Sequence, residues 1–352
     1  MSTQPYSKEL HIARLAVQRA ALLTKQLLSA VDKGSFDKID STPVTIADFA
    51  AQASIIAAIH NAFPDDEIVG EEDSSALRQD ATLLERTWEL ARSVHLDDET
   101  SEAQLYTPST KDEMLQLIDL GAKGNAGRTG RTWTLDPVDG TAAFMRGQQY
   151  AVCLSLIEDG QQVVGVLGCP NLLGTGHVAE ELVDKDGYGQ MLSAVVGHGV
   201  QMQPMGTGAL LPGTMLPSVP QISDPRQVRL IDTQATETTN LEVHGKAAAQ
   251  LGCLWPNPVD LWSAQMRYVA IAVGACNAFI KVPLKESYRS KIWDHSGGML
   301  LAAELGVKIT DLEGNPVDCG LGRTLAGCHG MVVAPASIHG RVLEAVRVAR
   351  QS

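Results

Sequence analysis

The sequence predicts a layered protein of the α/β or α+β class. Three observations predict it. Strand-like apolar runs and amphipathic helical stretches follow one another through both halves of the chain. An apolar content of 44% over 352 residues is enough for a large core. A stretch rich in Gly, Pro and Ser at residues 206–225 separates a first half, residues 1–210, from a second, residues 211–352.

The elements follow in order. Residues 9–30 carry Leu10, Ala13, Leu15, Val17, Ala20, Leu23 and Leu27 at helical spacing, which predicts an amphipathic helix. A polar loop is expected at 34–42. A second helix runs from Thr45 to about Ala62, stopped by Pro64-Asp65-Asp66. Glu67-Ile68-Val69 is a short strand leading into Gly70-Glu71-Glu72-Asp73. Residues 82–120 look helical, interrupted at Asp97-Asp98-Glu99. Trp133-Thr134-Leu135 is a strand that delivers Asp136. Strands at 151–157 and 163–167 flank Asp159-Gly160, a hairpin signal. The second half offers strands at 228–231, 278–282, 308–310 and 331–333. Its expected helices span 246–251, 261–273, 295–305 and 337–349.

Composition restricts function. A net charge of −13 argues against a general nucleic-acid binder, which needs a basic face. It leaves room for a small anionic substrate, because bound metal inverts a local field. Six cysteines without a CxxC pair are expected to be reduced thiols, as in the cytoplasm. The polar start Met1-Ser2-Thr3-Gln4-Pro5 has no signal-peptide pattern, and no apolar run is long enough to span a bilayer.

The chemistry concentrates in Leu135-Asp136-Pro137-Val138-Asp139-Gly140-Thr141. Pro137 stiffens the backbone between two carboxylates and Gly140 lets it turn. Two such charges about 4 Å apart cost on the order of 4 kcal/mol at an effective dielectric near 20, a cost that a divalent cation removes. Glu71, Asp136, Asp139, Asp294 and the Val138 carbonyl are hard oxygen donors, the set magnesium takes. No His/Cys cluster has zinc spacing. Asp136 is the natural bridge between two ions. Backbone N–H groups at Gly140 and Thr141, where a short helix begins, would face an anion. Thr141 is placed to orient a water. Asp48 is the candidate to take its proton, the alternative being a helix-surface charge. For Asp294 the alternative is a simple N-cap.

These residues resemble the lithium-sensitive, magnesium-dependent phosphatase superfamily that includes inositol monophosphatases and fructose-1,6-bisphosphatases. The Gly-Glu-Glu, Asp-Pro-Val-Asp-Gly-Thr and Trp-Asp-His segments match in order over nearly the whole chain. Within it, Thr42-Pro43-Val44-Thr45, Phe63-Pro64-Asp65-Asp66, Phe144-Met145-Arg146-Gly147 and Ser287-Tyr288-Arg289-Ser290-Lys291-Ile292-Trp293-Asp294-His295 look like fungal and plant 3′(2′),5′-bisphosphate nucleotidases. The resemblance implies a layered αβαβα sandwich. It implies two or three Mg2+ ions on Glu71, Asp136, Asp139, Asp294 and the Val138 carbonyl, with Asp48 and Thr141 activating water. It also implies hydrolysis of the 3′-phosphate of adenosine 3′,5′-bisphosphate to AMP, with the 3′-phosphorylated sulfate donor as a related substrate, and inhibition by lithium.

The chain departs from that branch on the substrate side. Ala142-Ala143-Phe144 stands where Lys-Gly-Phe is usual, and Val243-His244-Gly245 replaces a longer Ser/His segment. The Asp-Ser-Gln-Ala-Lys-Tyr run reads Trp262-Ser263-Ala264-Gln265-Met266-Arg267-Tyr268, with Arg267 in the lysine's role. His244 is expected to touch the nucleotide, Arg267 and Lys281 a phosphate, and Tyr288 the base. The alternatives are an ordinary histidine and solvated charges. His295 is expected to bond within the fold. Two further readings stay open: a phosphatase for inositol phosphates or another small ester, and a non-catalytic metal-binding relative.

Overall fold

The structure is a computed structural model that describes residues 4–32, 42–174, 176–233, 238–256 and 260–351. The loop expected at 34–42 lies, but for Thr42, outside them.

Helices α1 (Ser7–Asp32) and α2 (Thr42–Ala62) pack on each other. Both are rich in alanine, and Ala13, Ala16, Ala20, Ala50, Ala53 and Ala57 are buried. Small side chains let two helices and a sheet approach closely, so α1 is covered on more than the one face its pattern suggested. Strand β1 (Glu67–Gly70) follows, then α3 (Ser75–Gln79), α4 (Ala81–Ser93), α5 (Glu99–Glu102) and α6 (Lys111–Lys123). The long helical region expected at 82–120 is thus three helices. Each has its own cap: Asp80 accepts from Thr82 and Leu83 N–H, Asp98 from Ser101 N–H and Thr110 from Glu113 N–H.

Strands β2 (Arg131–Asp139), β3 (Ala151–Glu158), β4 (Gln161–Cys169), β5 (Gln190–Val195), β6 (Val200–Pro204) and β7 (Thr214–Met215) complete a seven-stranded sheet in sequence order. Only β1 and β2 are parallel. The turn α7 (Thr141–Phe144) lies between β2 and β3. Strands β5 to β7 were not anticipated; β7 is only two residues long.

The second half contributes β8 (Leu230–Ile231), α8 (Leu241–Leu251), α9 (Ala264–Ala272), β9 (Ala278–Lys281), α10 (Ser296–Glu304), β10 (Val307–Asp311), β11 (Met331–Pro335) and α11 (His339–Gln351). Its strands form a four-stranded sheet in the order β10-β11-β9-β8. Helix α8 starts five residues before the expected Lys246, where Asn240 accepts from Val243 N–H.

Three cores separate the layers, and strand alternation assigns the faces. Trp133, Leu135, Val152, Leu154 and Leu156 join α1 and α2. Ala151, Cys153 and Leu167 face the other way, toward Met266 of α9, Leu301 of α10, and Ile231, Phe279 and Val333 of the second sheet. Leu230, Ile280 and Val332 meet α8 and α11 on the far side. The result is the αβαβα sandwich. All six cysteines are free. No helix among the described residues is long and apolar enough to cross a membrane.

Candidate active site

The parallel pairing of β1 and β2 sets the first contact. Gly70 lies opposite Leu135, so the next residues, Glu71 and Asp136, emerge side by side, where each feels the other's charge. Gln52 of α2 holds the turn after β1. Its amide accepts from Glu72 N–H at 3.0 Å and donates to the Glu72 carbonyl at 2.8 Å. A Cβ at Gly70 would stand 2.8 Å from the Gln52 Oε1, so the clamp requires glycine there.

A bulge in β2 sets the second. Asp136 pairs with Cys153 and Asp139 with Ala151, so three steps along β2 match two along β3. Pro137 has no N–H for the ladder, which is where such an extra residue is tolerated. Without the bulge, residues three apart would face opposite sides. With it, Asp136 and Asp139 share the face of Cys153 and Ala151, toward α9 and α10. Val138 N–H donates to the Asp136 carboxylate at 3.1 Å, and the Thr141 hydroxyl donates to the Val138 carbonyl at 3.2 Å. Gly140 has φ +96°, and a Cβ there would lie 2.8 Å from the Ser263 Cβ. Gly140→Ala is therefore expected to cost about 2–3 kcal/mol in urea unfolding and to depress kcat as well, because Asp139 and Thr141 flank it.

Asp139 reaches the N-terminus of α9. It accepts from the Ser263 hydroxyl, from Gln265 N–H at 2.6 Å and from Ala264 N–H at 3.3 Å. Gln265 then ties this point to the Asp294 segment. Its side chain donates to the Trp293 carbonyl at 2.7 Å and accepts from Gly298 N–H at 2.8 Å. Asp294 does not cap α10. The N-cap position falls on His295, whose ring bonds Tyr268 as expected.

The carboxylates act on one another. Burial, then Glu71, Asp139, Asp294 and Asp48, push Asp136 well above the usual carboxylate range. Burial, then Asp139 and Glu71, raise Asp294 to about 8. Asp48, buried on α2, is raised by burial and by Glu72 and Glu71. Six acidic groups from four distant segments thus share one field. Glu71 is open to solvent while crowded by protein, as on the wall of a cleft. The donors are hard oxygens, and their raised proton affinity is the mark of a site that wants positive charge, so the set fits magnesium. Among the described residues no three of them already close around one point. Asp139 spends much of its accepting capacity on α9.

Cations line the opposite side. Arg267 is buried beside Asp139, over Phe279. Among the described residues its guanidinium has one weak bond, Nε to the Ser263 carbonyl at 3.4 Å. Lys281, at the end of β9, is buried and lowered to about 8, first by burial and then by Arg267, and it also feels Asp294 and Asp139. Its ammonium lies 5.0 Å from the ring centre of half-buried Tyr288. His244 differs from expectation. It is buried, Nδ1 meets Asp232 at 3.1 Å, and Nε2 accepts from Val282 N–H at 3.4 Å. Both ring nitrogens are engaged, so direct contact with a nucleotide is corrected to support of the strand bearing Lys281.

Sequence reasoning missed several contributors. Glu72, to which the sequence assigned no role, is half-buried and raised to about 7 by burial, Glu71 and Asp73. Exposed Asp73 does behave as a surface cap, on Ser75 N–H. Ser263 and Gln265, which orient Asp139, lie in the motif run before α9 but were given no role there, and Arg323 carries no motif. The N-capping pattern before α9 was the one available signal, and it reveals only where the helix begins.

The model of the inositol monophosphatase family matches residues 7–351. The chain belongs to that family. As a family member it is 40% identical, over 97% of its length and 98% of the relative's, to the 3′(2′),5′-bisphosphate nucleotidase of Emericella nidulans. It is 36% identical to 3′(2′),5′-bisphosphate nucleotidase 2 of Candida albicans, over 99% of each chain. Inositol monophosphatase-II from Staphylococcus aureus shares its fold, with a TM-score of 0.57 at 17% identity over 95% of this chain and 91% of that one. The family is generally magnesium-dependent.

Proposed function

We propose that this family member hydrolyses the 3′-phosphate of adenosine 3′,5′-bisphosphate, and of the related 3′-phosphorylated sulfate donor, releasing inorganic phosphate and leaving AMP in the first case. Glu71, Asp136, Asp139, Asp294 and the Val138 carbonyl hold two or three magnesium ions. Bound magnesium supplies Lewis-acid stabilisation of the phosphoryl oxygens and makes water acidic enough to attack. The chain's own residues do the rest. The Thr141 hydroxyl donates a hydrogen bond to the Val138 carbonyl, which leaves its oxygen lone pairs free to accept from the attacking water and orient it. Asp48, with its raised proton affinity, takes that water's proton. Gly140 lets the backbone turn so that N–H groups of α7 face the phosphate. Arg267 and Lys281 bind the anion with donors that have few other partners, and Tyr288 edges the base.

The observation that carries the reading is the pair of buried cations set against the carboxylate cluster. It occurs in a chain whose nucleotidase relatives match it from end to end. Phosphate release from adenosine 3′,5′-bisphosphate, inositol phosphates and fructose 1,6-bisphosphate, with magnesium and with added lithium, tests it. The nucleotide is expected to be preferred and its turnover to fall with lithium. Preference for an inositol phosphate overturns the substrate assignment, and no release from any ester overturns catalysis.

A further inference from the structure

Arg323 joins the two segments that carry Glu71 and Asp294. Its guanidinium donates to the Gly70 carbonyl at 2.5 Å, beside Glu71. The same group donates to the Gly121 and Gly124 carbonyls at 2.9 and 3.1 Å, which neutralises the C-terminal end of α6. Its flat face lies 4.9 Å from the ring centre of buried Trp293, the neighbour of Asp294. Its own carbonyl accepts from Ile292 N–H at 3.1 Å, and Thr324 bridges Lys291. One residue therefore grips the end of β1 with its fork and the approach to Asp294 with its backbone and ring contact. A planar five-donor fork suits this task; an ammonium does not.

We infer that Arg323 is a positioning residue that fixes the separation of Glu71 and Asp294 and so sets magnesium affinity. The inference deepens the proposed function and rests on those two side chains being metal ligands. Its sign is opposite to that of simple electrostatics. Arg323 is a positive charge close to Glu71, so as a charge alone it repels a cation, and its removal would tighten metal binding. As a clamp it does the reverse.

The test is calorimetric titration of magnesium alone into metal-free protein, with the magnesium dependence of turnover measured in parallel. Arg323→Gln is expected to weaken magnesium binding about tenfold or more, the range seen when groups orienting metal ligands are lost. The half-saturating magnesium for turnover rises in step, while kcat at saturating magnesium stays within about threefold. Arg323→Lys keeps the charge and breaks the fork, and is expected to weaken binding as well. Tighter or unchanged magnesium binding in Arg323→Gln overturns the inference, as does wild-type affinity in Arg323→Lys. A large loss of kcat with unchanged affinity also overturns it. Failure of the wild-type protein to bind magnesium removes the metal centre itself, an outcome distinct from these.

Discussion

Asp136→Asn is expected to abolish turnover and, with metal chelated, to leave the chain folded and melting at or above the wild-type temperature. Asp136 lies at the middle of the acidic field, raised by burial and by four other carboxylates. A buried group of this kind opposes folding whenever it is charged. The amide keeps the size and can still accept from Val138 N–H, but it carries no charge to repel Glu71 or to hold a cation. The loss in kcat/KM is expected to reach about a thousandfold, roughly 4 kcal/mol of transition-state stabilisation. Steady-state assays and thermal melts in EDTA read both effects. Retained turnover would remove Asp136 from the mechanism. A large drop in melting temperature would mean that the carboxylate is structural.

The second large effect is a coupling of protons, magnesium and stability. Glu72 is raised from 4.5 to about 7 and Asp294 from 3.8 to about 8. For an acid whose folded-state pKa is raised, the native protein binds the proton more tightly than the unfolded chain. The metal-free protein is therefore most favoured by these groups below about pH 4, and it loses that contribution as pH rises to about 8, beyond which the curve flattens. Magnesium competes with the proton for the Asp294 oxygens and lies close to the charge of Glu72, so its affinity rises across the same window. The melting temperature gained on adding magnesium is expected to be larger at about pH 8 than at about pH 5, by on the order of 5 °C. Melts in EDTA and in magnesium across that range measure it. An equal gain at both ends would show that the cation does not bind these carboxylates.

Parts of this site were legible because they are local. The donors of Asp136, Val138 and Asp139 lie within one short run, and the strand that carries them is visible from Trp133 and Leu135. The bulge that turns both carboxylates the same way was not read from the sequence; the strand pairing of β2 with β3 reveals it. Helical spacing revealed α1, whereas α2 and α10 are apolar nearly all round and were read from where they start and stop. Strands β5 to β7 were not read from the sequence, and β7, at two residues, is too short to show any pattern. The burial of Glu72 was not legible either. It comes from Gln52 on α2 gripping the Glu72 backbone, a contact that nothing adjacent in the chain reports.

By itself the sequence determined the layered class and the kind of atoms offered to a ligand: hard carboxylate oxygens from several separated segments, with no soft cluster. Those properties follow from residue type and short-range spacing. The tertiary structure alone decided which groups face the centre and which are spent elsewhere. It turned His244 inward to Asp232 and Val282, and set Ser263 and Gln265 against Asp139. It brought Arg323 to Gly70 across 253 positions of chain. The physical reason is that hydrogen-bond geometry and burial are properties of closed space. Spacing along a strand or helix repeats every two or 3.6 residues, whereas a contact between distant segments exists only after the layers have packed.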